Sequence, residues 1–442
     1  MPEAVDCIVI GAGMSGLAAA DALQRDGLRT TVIEASDTVG GLARSVRVAG
    51  EPIEPYYHHV FPQDGETREA LRDLGMEASL EWRHASMAIL HRGKVHPFDG
   101  PADLLRFPAM SPLARVRFGA AMAAQLVRRD AGRMDSASVS RDAPRWFGQS
   151  GYDTVWRPLL EAKFGPHAAD VAMAWLVARI RQRAGARKST GDRLGYLRGG
   201  TGALAAAFAG QLEARGTRLV LSARVASLRL IDGLWVAAVS TPAGEAEVAA
   251  PRVIACVSGP VLARLVELPA SYRDALAAIP FRGIVCALLE LSESLSRHYW
   301  VNVTDKLGLG CVGIIEHTNL VEPERYGGRR LVYLAHYVDR ADPAWTATAD
   351  QLVGPVLPAF RSLNPLFREE WIVDAHVARD PFAQPVPLAG GPMAGLPMEP
   401  GLPGLVHASM AHVYPDDRGV SKALALGRRA ARLATRDGSG RA

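Results

Sequence analysis

Apolar and polar positions change period several times along the chain, and each change predicts an element. Cys7 to Ile10 is a short unbroken apolar run, the pattern of a buried parallel strand. Leu17, Ala20 and Leu23 then recur at helical spacing, and Gly27 stands where that helix should stop. Thr30 to Ile33 predicts a second buried strand. Val46 to Glu54 reads as a hairpin turning at Gly50, 67–74 as a helix, and 86–95 as two short strands turning at Arg92-Gly93-Lys94. Helical periodicity covers 101–134, 171–183 and 200–215. Strands are expected at 217–221, 224–230 and 252–257, then near 284–291, 313–316 and 331–337. A last apolar strand after Gly404 runs through a turn into a helix ending near Leu433.

The turn between the first two strands carries specific chemistry. Gly11, Gly13 and Gly16 stand in G-x-G-x-x-G spacing, directly after one strand and at the opening of a helix. The first glycine permits the tight turn, the second lets backbone approach a pyrophosphate, and the third lets helix pack on sheet. The pyrophosphate then sits on the free N–H groups and positive dipole end of the helix. Glu34, ending the second strand, can accept hydrogen bonds from ribose hydroxyls. Strand, glycines, helix, strand and acid in this order predict a dinucleotide site.

Glu34 continues into Ala35-Ser36-Asp37-Thr38-Val39-Gly40-Gly41-Leu42-Ala43-Arg44. This acid, spacer, Gly-Gly pair and arginine resemble the flavoprotein amine-oxidase superfamily. Further likenesses lie at Arg157 to Gly165, at Gly199-Gly200, and in the strand–turn–helix from Gly404. The resemblance implies FAD, with the Gly-Gly segment along its pyrophosphate, the backbone of Val225 at the adenine, and the last helix opening at the flavin pyrimidine. It implies cofactor contacts from Gly11, Gly13, Met14, Ser15, Gly16, Glu34, Ala35, Gly41, Leu42, Arg44, Tyr57, His58, Val225, Asp417, Gly419 and Val420. The chain departs from the superfamily pattern at Ala408-Ser409, where an acid is usual, so that contact is missing or displaced to Asp416 or Asp417. No cysteine lies in 404–423, which excludes a thioether link there and implies non-covalent FAD.

The expected fold is α/β, a Rossmann-like FAD-binding domain with an α+β substrate-binding domain inserted. The FAD-binding domain is discontinuous (1–75, 190–265 and 395–442), and the substrate-binding domain takes 76–189 and 266–394.

At 442 residues and 48% apolar, the chain can build a large core. Its formal charge of +4 is spread through arginine-bearing helices, without a basic run interleaved with aromatics, so nucleic acid is not expected as a partner. No apolar stretch approaches the ~20 residues of a membrane span. The arginines of 101–134 (Arg106, Arg115, Arg117, Arg128 and Arg129) leave two readings, a solvated helix face or a face for a membrane surface or anionic substrate. The first strand begins almost at the N-terminus, which leaves no room for a leader peptide. Cys7, Cys256, Cys286 and Cys311 are scattered singly, as expected of reduced core cysteines in a cytoplasmic protein. No metal-ligand spacing occurs, so no metal is expected.

Four residues are the candidates for catalysis. His58 and His59 follow the flavin-cradling segment among aromatics and can donate hydrogen bonds, take up a proton or bind an anionic group. Lys163 matches a superfamily lysine that the resemblance implies holds a water near flavin. His317 follows Glu316 at a strand end; neighbours on a strand face opposite ways, so at most one of them points at substrate. His336 and Tyr337 hold the same place on the next strand. The expected reaction is hydride abstraction from a C–H bond of a small organic substrate, as in amine or alcohol oxidation or desaturation. An anionic substrate is read from the arginines, Arg179 above all. Two alternatives stand beside it: a UDP-galactopyranose-mutase-like enzyme acting on a nucleotide sugar without net redox, and a non-catalytic flavin-binding partner.

Overall fold

The computed structural model describes residues 3–127, 134–188, 191–305 and 311–436. Among them, five strands form one parallel sheet in the order 218–220, 30–33, 7–10, 253–255, 405–407. Strands 7–10, 30–33, 253–255 and 405–407 are buried along their whole length, because both faces of the sheet are covered. The first helix (Met14–Arg25), the helix Gly200–Ala214 and the last helix (Val420–Ala434) bring Leu17, Leu204 and Leu424 into one core with Val9. On the other face Ile8, Ile10 and Val253 meet Trp235 of an antiparallel meander, Arg224–Ile231, Leu234–Thr241 and Gly244–Ala250. The Trp235 indole donates to the Pro403 carbonyl at 2.8 Å, tying the meander to the last strand. The first and last helices pack so closely that a Cβ at Gly427 would lie 2.0 Å from the Ser15 carbonyl oxygen.

The second large sheet has seven strands in the order 372–385, 281–291, 330–338, 311–316, 300–303, 87–91, 94–97, antiparallel except for 300–303 beside 87–91. Strand Phe281–Leu291 lies at its heart. Its even-numbered residues from Ile284 to Leu288 join Tyr299 and Tyr333 on one face, and Val285, Ala287 and Leu289 join Phe360 and Leu352 on the other. The helices between Pro112 and Ala186 add a third core around Phe118, Phe147 and Phe164.

The expected helix over 101–134 is two helices, Pro101–Arg106 and Pro112–Val127. Pro108 disfavours helix in the residue before it, and Pro112 is pre-set for the first turn of the next. Arg115 bridges the break, donating from Nε to the Met110 carbonyl at 2.8 Å and from Nη1 to the Leu105 carbonyl at 2.6 Å. Arg117 donates to the Arg145 carbonyl at 2.7 Å. Arg128 and Arg129 lie outside the described residues.

Candidate active site

A cavity of about 590 Å³ opens at the carboxyl ends of four parallel strands. Gly11, Glu34, Cys256 and Ala408 follow these four strands and line it. That is the crevice in which open parallel sheets take their ligands. The strand carrying Tyr337 and the long strand Ile372–Pro385, carrying Asp380 and Phe382, supply the opposite wall. Helices Arg157–Phe164 and Met173–Ala186 add Lys163, Arg179 and Gln182.

The glycine end of the cavity is built by two interlocked loops. Gly11 has φ of +96°, and a Cβ there would lie 2.9 Å from the Cys256 carbonyl. Only glycine satisfies both constraints. A Cβ at Gly16 would stand 1.8 Å from the Gly11 carbonyl, so helix and strand meet there without a side chain. Gly13 differs: a Cβ on it meets nothing within 4 Å, so the open space beside it is the cavity itself. Gly40 donates its N–H to the Ala12 carbonyl at 2.8 Å and bridges to Gly13, laying the Gly40-Gly41 pair along the first loop. Arg44 fixes that turn, donating to the Gly41 carbonyl at 3.0 Å. Glu34 accepts from the Ala12 N–H at 2.7 Å and the Ser36 N–H at 2.8 Å, which fixes its carboxylate at the rim. This glycine-lined cradle at a helix N-terminus has room where a Cβ would stand, and it fits a dinucleotide pyrophosphate.

The other end is aromatic and charged. Lys163 Nζ donates to Asp417 Oδ2 at 2.7 Å and stands 4.8 Å from the Trp175 ring centre. Arg179 Nε is 3.9 Å from the same carboxylate oxygen. Burial works against the charge on Asp417, but Lys163, Arg179 and Arg418 outweigh it and hold the carboxyl well below its ordinary range. Burial lowers the Lys163 ammonium, and Asp417 only partly offsets this. Arg418 donates from Nη2 to the Tyr337 hydroxyl oxygen and from Nε to Gln384 Oε1 at 3.0 Å. The Tyr57 and Tyr337 hydroxyls lie 3.5 Å apart. Burial raises the Tyr337 phenol, yet Arg418 and Lys163 overcome it and the net shift is downward. Arg282, buried beneath, holds the Tyr337 carbonyl and pairs with Asp339.

The sequence candidates divide. Gly11, Gly13, Met14, Ser15, Glu34 and Ala35 line the cavity, as do Gly41, Leu42, Tyr57 and His58. So do His59, Lys163, Asp417, Gly419 and Val420. Gly16 and Arg44 stand behind the lining, supporting it. Val225 is buried in the core of the meander, and its neighbour Arg224 is the lining residue. His317 does not line the cavity. Its Nε2 is 2.9 Å from the Tyr326 hydroxyl, it packs edge-on against Tyr196 and Tyr333, and burial pushes its pKa down to about 3. Glu316 turns away as well, accepting from Ser294 Oγ at 2.7 Å and the Ser296 N–H at 2.5 Å. On the next strand Tyr337 reaches the cavity, while His336 faces the core.

His58 Nδ1 donates to the Tyr56 carbonyl at 2.7 Å, which assigns the proton to that nitrogen. Burial depresses both His58 and His59, and Arg183 and Arg179 depress His59 further. Both rings are therefore neutral at pH 7. Arg418, Asp380 and Phe382 are lining residues that sequence reasoning passed over. The signal for Arg418 was present, since it sits inside the Asp416-Asp417-Arg418-Gly419 turn that closes on the last helix.

Residues 14–435 match the family model described as flavin containing amine oxidoreductase. The chain is 29% identical over 259 residues to a Mycobacterium tuberculosis protein described as a flavin-containing monoamine oxidase, AofH, with 56% of each chain covered. It thus spans about half the length of that relative. In fold it is similar to a protein described as a protoporphyrinogen oxidase from Exiguobacterium sp. 255-15, with a TM-score of 0.76 and 15% identity over 97% of this chain and 98% of the other. It is similar also to reduced UDP-galactopyranose mutase, with a TM-score of 0.73 and 16% identity over 98% and 95%. The family match runs from the opening of the first helix to the end of the last and takes in all of the cavity lining except Gly11 and Gly13, and the chain belongs to the flavin-containing amine oxidoreductase family.

Proposed function

We propose that the cavity holds FAD without a covalent link, and that the protein is an oxidoreductase taking a hydride from a C–H bond beside nitrogen or oxygen in a small organic substrate. One observation carries this reading: a single cavity joins the glycine cradle at one end to the aromatic, charged cluster of Lys163, Asp417, Arg418 and Tyr337 at the other. The cradle of Gly11, Gly13 and Gly41 would take the pyrophosphate, Glu34 a ribose, and the helix N-terminus at Gly419-Val420 the pyrimidine edge of the ring. Cys256 is the cysteine of the lining, against Gly11 at the pyrophosphate end, and burial pushes its thiol up to about 12, which argues against a thioether. Bound there, FAD supplies the two-electron acceptor.

The chain's own residues handle the proton. Guanidinium has no acceptor, so the Tyr337 oxygen accepts from Arg418, and once the phenol has lost its own proton to solvent the phenolate has a lone pair left for a substrate proton. Tyr337 is the group we assign to take a proton from the substrate ammonium or hydroxyl. The N–H or O–H bond breaks, the phenol O–H forms, and the electron pair stays on the substrate heteroatom. Lys163 and Arg418 favour the phenolate, and Arg179 offers a contact for an anionic substrate group.

The test is the visible absorbance of the purified protein, with mass identification of what heat releases. Released FAD, bleached anaerobically by an amine or alcohol, is the expected result. A colourless protein that takes up no FAD overturns the reading. Conversion of a nucleotide sugar by the pre-reduced protein alone replaces it with the mutase reading.

A further inference from the structure

The helix Pro112–Val127 is apolar on both faces, with Phe118, Ala114, Ala121 and Met122 packed into a core on the inner one. Its buried positions include Gln125 beside Phe118, and Gln125 gives its carbonyl to Arg181 Nε at 2.9 Å on the helix Met173–Ala186. Its outer face is apolar: Leu113, Val116, Ala120, Ala123 and Val127 are all exposed and recur at 3- and 4-residue steps, one stripe along the helix. Leu113 is 79% exposed, Val116 58% and Val127 78%. Leu105, 54% exposed, ends the preceding short helix, which Arg115 ties to this one. Half of the exposed large hydrophobic residues of the described chain fall between Leu105 and Val127, in one helical hairpin. Scattered apolar residues on a surface need no explanation, but a continuous stripe does.

The charge around this stripe selects what covers it. Residues 101–134 contain six arginines and no lysine, against two aspartates, Asp103 and Asp130, a net of +4. The formal net charge of the whole chain is also +4, so the remaining residues balance to zero. The hairpin 101–127 itself carries Arg106, Arg115 and Arg117 against Asp103, a net of +2, and the six residues that follow it in sequence carry the other +2. A second copy laid on this face would set arginines against arginines. An anionic bilayer surface offers apolar depth for the leucines and valines and phosphate for the arginines.

We propose that the hairpin 101–127 is a membrane-surface anchor, lying in the plane of an anionic leaflet with Leu105, Leu113, Val116 and Val127 buried below the headgroups. The helix does not cross: no helix among the described residues is long and apolar enough to span a membrane. The surface is one helix removed from the cavity, because Met173–Ala186, which packs against it, carries Arg179 and Gln182.

The experiment is co-flotation of the full-length protein with vesicles. One set is phosphatidylcholine alone, and the other has a third of its lipid as phosphatidylglycerol. Flotation with the anionic vesicles only, lost on raising the salt, is the expected result. Arg106→Gln should weaken partition about fivefold, the worth of one arginine at such a surface. Leu113→Glu, Val116→Glu and Val127→Glu together should abolish it while far-ultraviolet circular dichroism stays unchanged, since none of the three is in a core. Wild-type protein that stays with neither vesicle set overturns the proposal. So does a wild-type dimer that the triple variant turns into monomer, which would assign the stripe to a second copy.

Discussion

Lys163 Nζ and Asp417 Oδ2 meet at 2.7 Å, joining the helix Arg157–Phe164 to the turn that opens the last helix. Their side chains are 14% and 7% exposed, so neither charge is left to water. Removing one partner of such a pair costs about 3–5 kcal/mol, because the other stays buried and unbalanced. The two halves are not equivalent here. Lys163→Met leaves Asp417 with Arg179 and Arg418 near it, whereas Asp417→Asn takes from three cations the carboxylate they share. We expect Asp417→Asn to lower the urea unfolding midpoint more than Lys163→Met. The reverse order would mean that Lys163, not Asp417, organises the cluster.

The glycines of the first loop should separate folding from cofactor retention. Gly13→Ala adds a methyl that points into open cavity with φ of −68°, an ordinary value for alanine. The variant should fold with wild-type stability and lose flavin on gel filtration. Gly16→Ala drives its methyl to 1.8 Å from the Gly11 carbonyl and should unfold at markedly lower urea, whatever flavin is added. Equal flavin retention by Gly13→Ala and wild type would move the pyrophosphate away from this loop.

Tyr337 should titrate apart from every other tyrosine. The chain has ten, and burial, with the groups around them, raises the other nine. Around the Tyr337 hydroxyl stand Arg418 and Asp417 from the late turn, Lys163 from its helix and Tyr57 from the segment after the hairpin. In protein labelled with ¹³C at tyrosine Cζ, one resonance should change to the phenolate position below the ordinary value of about 10. It should vanish in Tyr337→Phe and move to higher pH in Arg418→Gln. Ten resonances that all stay phenolic up to that pH would remove Tyr337 as the proton acceptor. The signal is read without turnover, so it stands or falls separately from the identity of the cofactor.

Acid should destabilise the fold well above the carboxylate range. Burial lowers His317 and His407 to about 3 and His412 to about 4, from an ordinary 6.5. Between those values the unfolded chain binds protons that the folded chain refuses. These three rings therefore take stability away as pH falls from about 6.5 toward 3, while Glu316, pushed up to about 7 by burial, offsets one of them between about 7 and 4.5. Each group adds up to about 1.4 kcal/mol per pH unit to the slope. Asp417, held low, adds its own loss only below its ordinary 3.8. The urea midpoint should drop steadily from about pH 7 to about pH 4, and His317→Gln should flatten the drop by one group. A flat midpoint over that range would contradict the burial of these rings.

The cradle was legible in the sequence because its parts are neighbours in the chain: strand, Gly11, Gly13, helix and Glu34 fall within thirty residues or so. The charged end was legible only in parts: Lys163, Arg179 and Asp417 were named and Tyr337 weighed, but Asp380 and Arg418 were not, because they come from distant segments that only the folded sheets bring together. His317 misled for a physical reason. A polar cluster ending an apolar strand reads as cavity lining, but Tyr196, Tyr326 and Tyr333 converge on it and make a hydrogen-bonded aromatic core. Lys163 was found through resemblance, while its partner Asp417 was read as a cofactor acid and its side chain is engaged by lysine. The break in the 101–134 helix was written in Pro108 and Pro112, which the arginine pattern obscured.

The close crossing of Gly427 over Ser15 has a consequence for the order of events on the ribosome. The glycine loop emerges some four hundred residues before the helix that covers its back and the strand 405–407 that completes the sheet beside 253–255. A nascent chain halted before residue 405 can assemble the seven-stranded sheet but has an open flank along its first helix. A chain stopped before residue 405 would thus fold much of its mass with one flank of the glycine cradle still open.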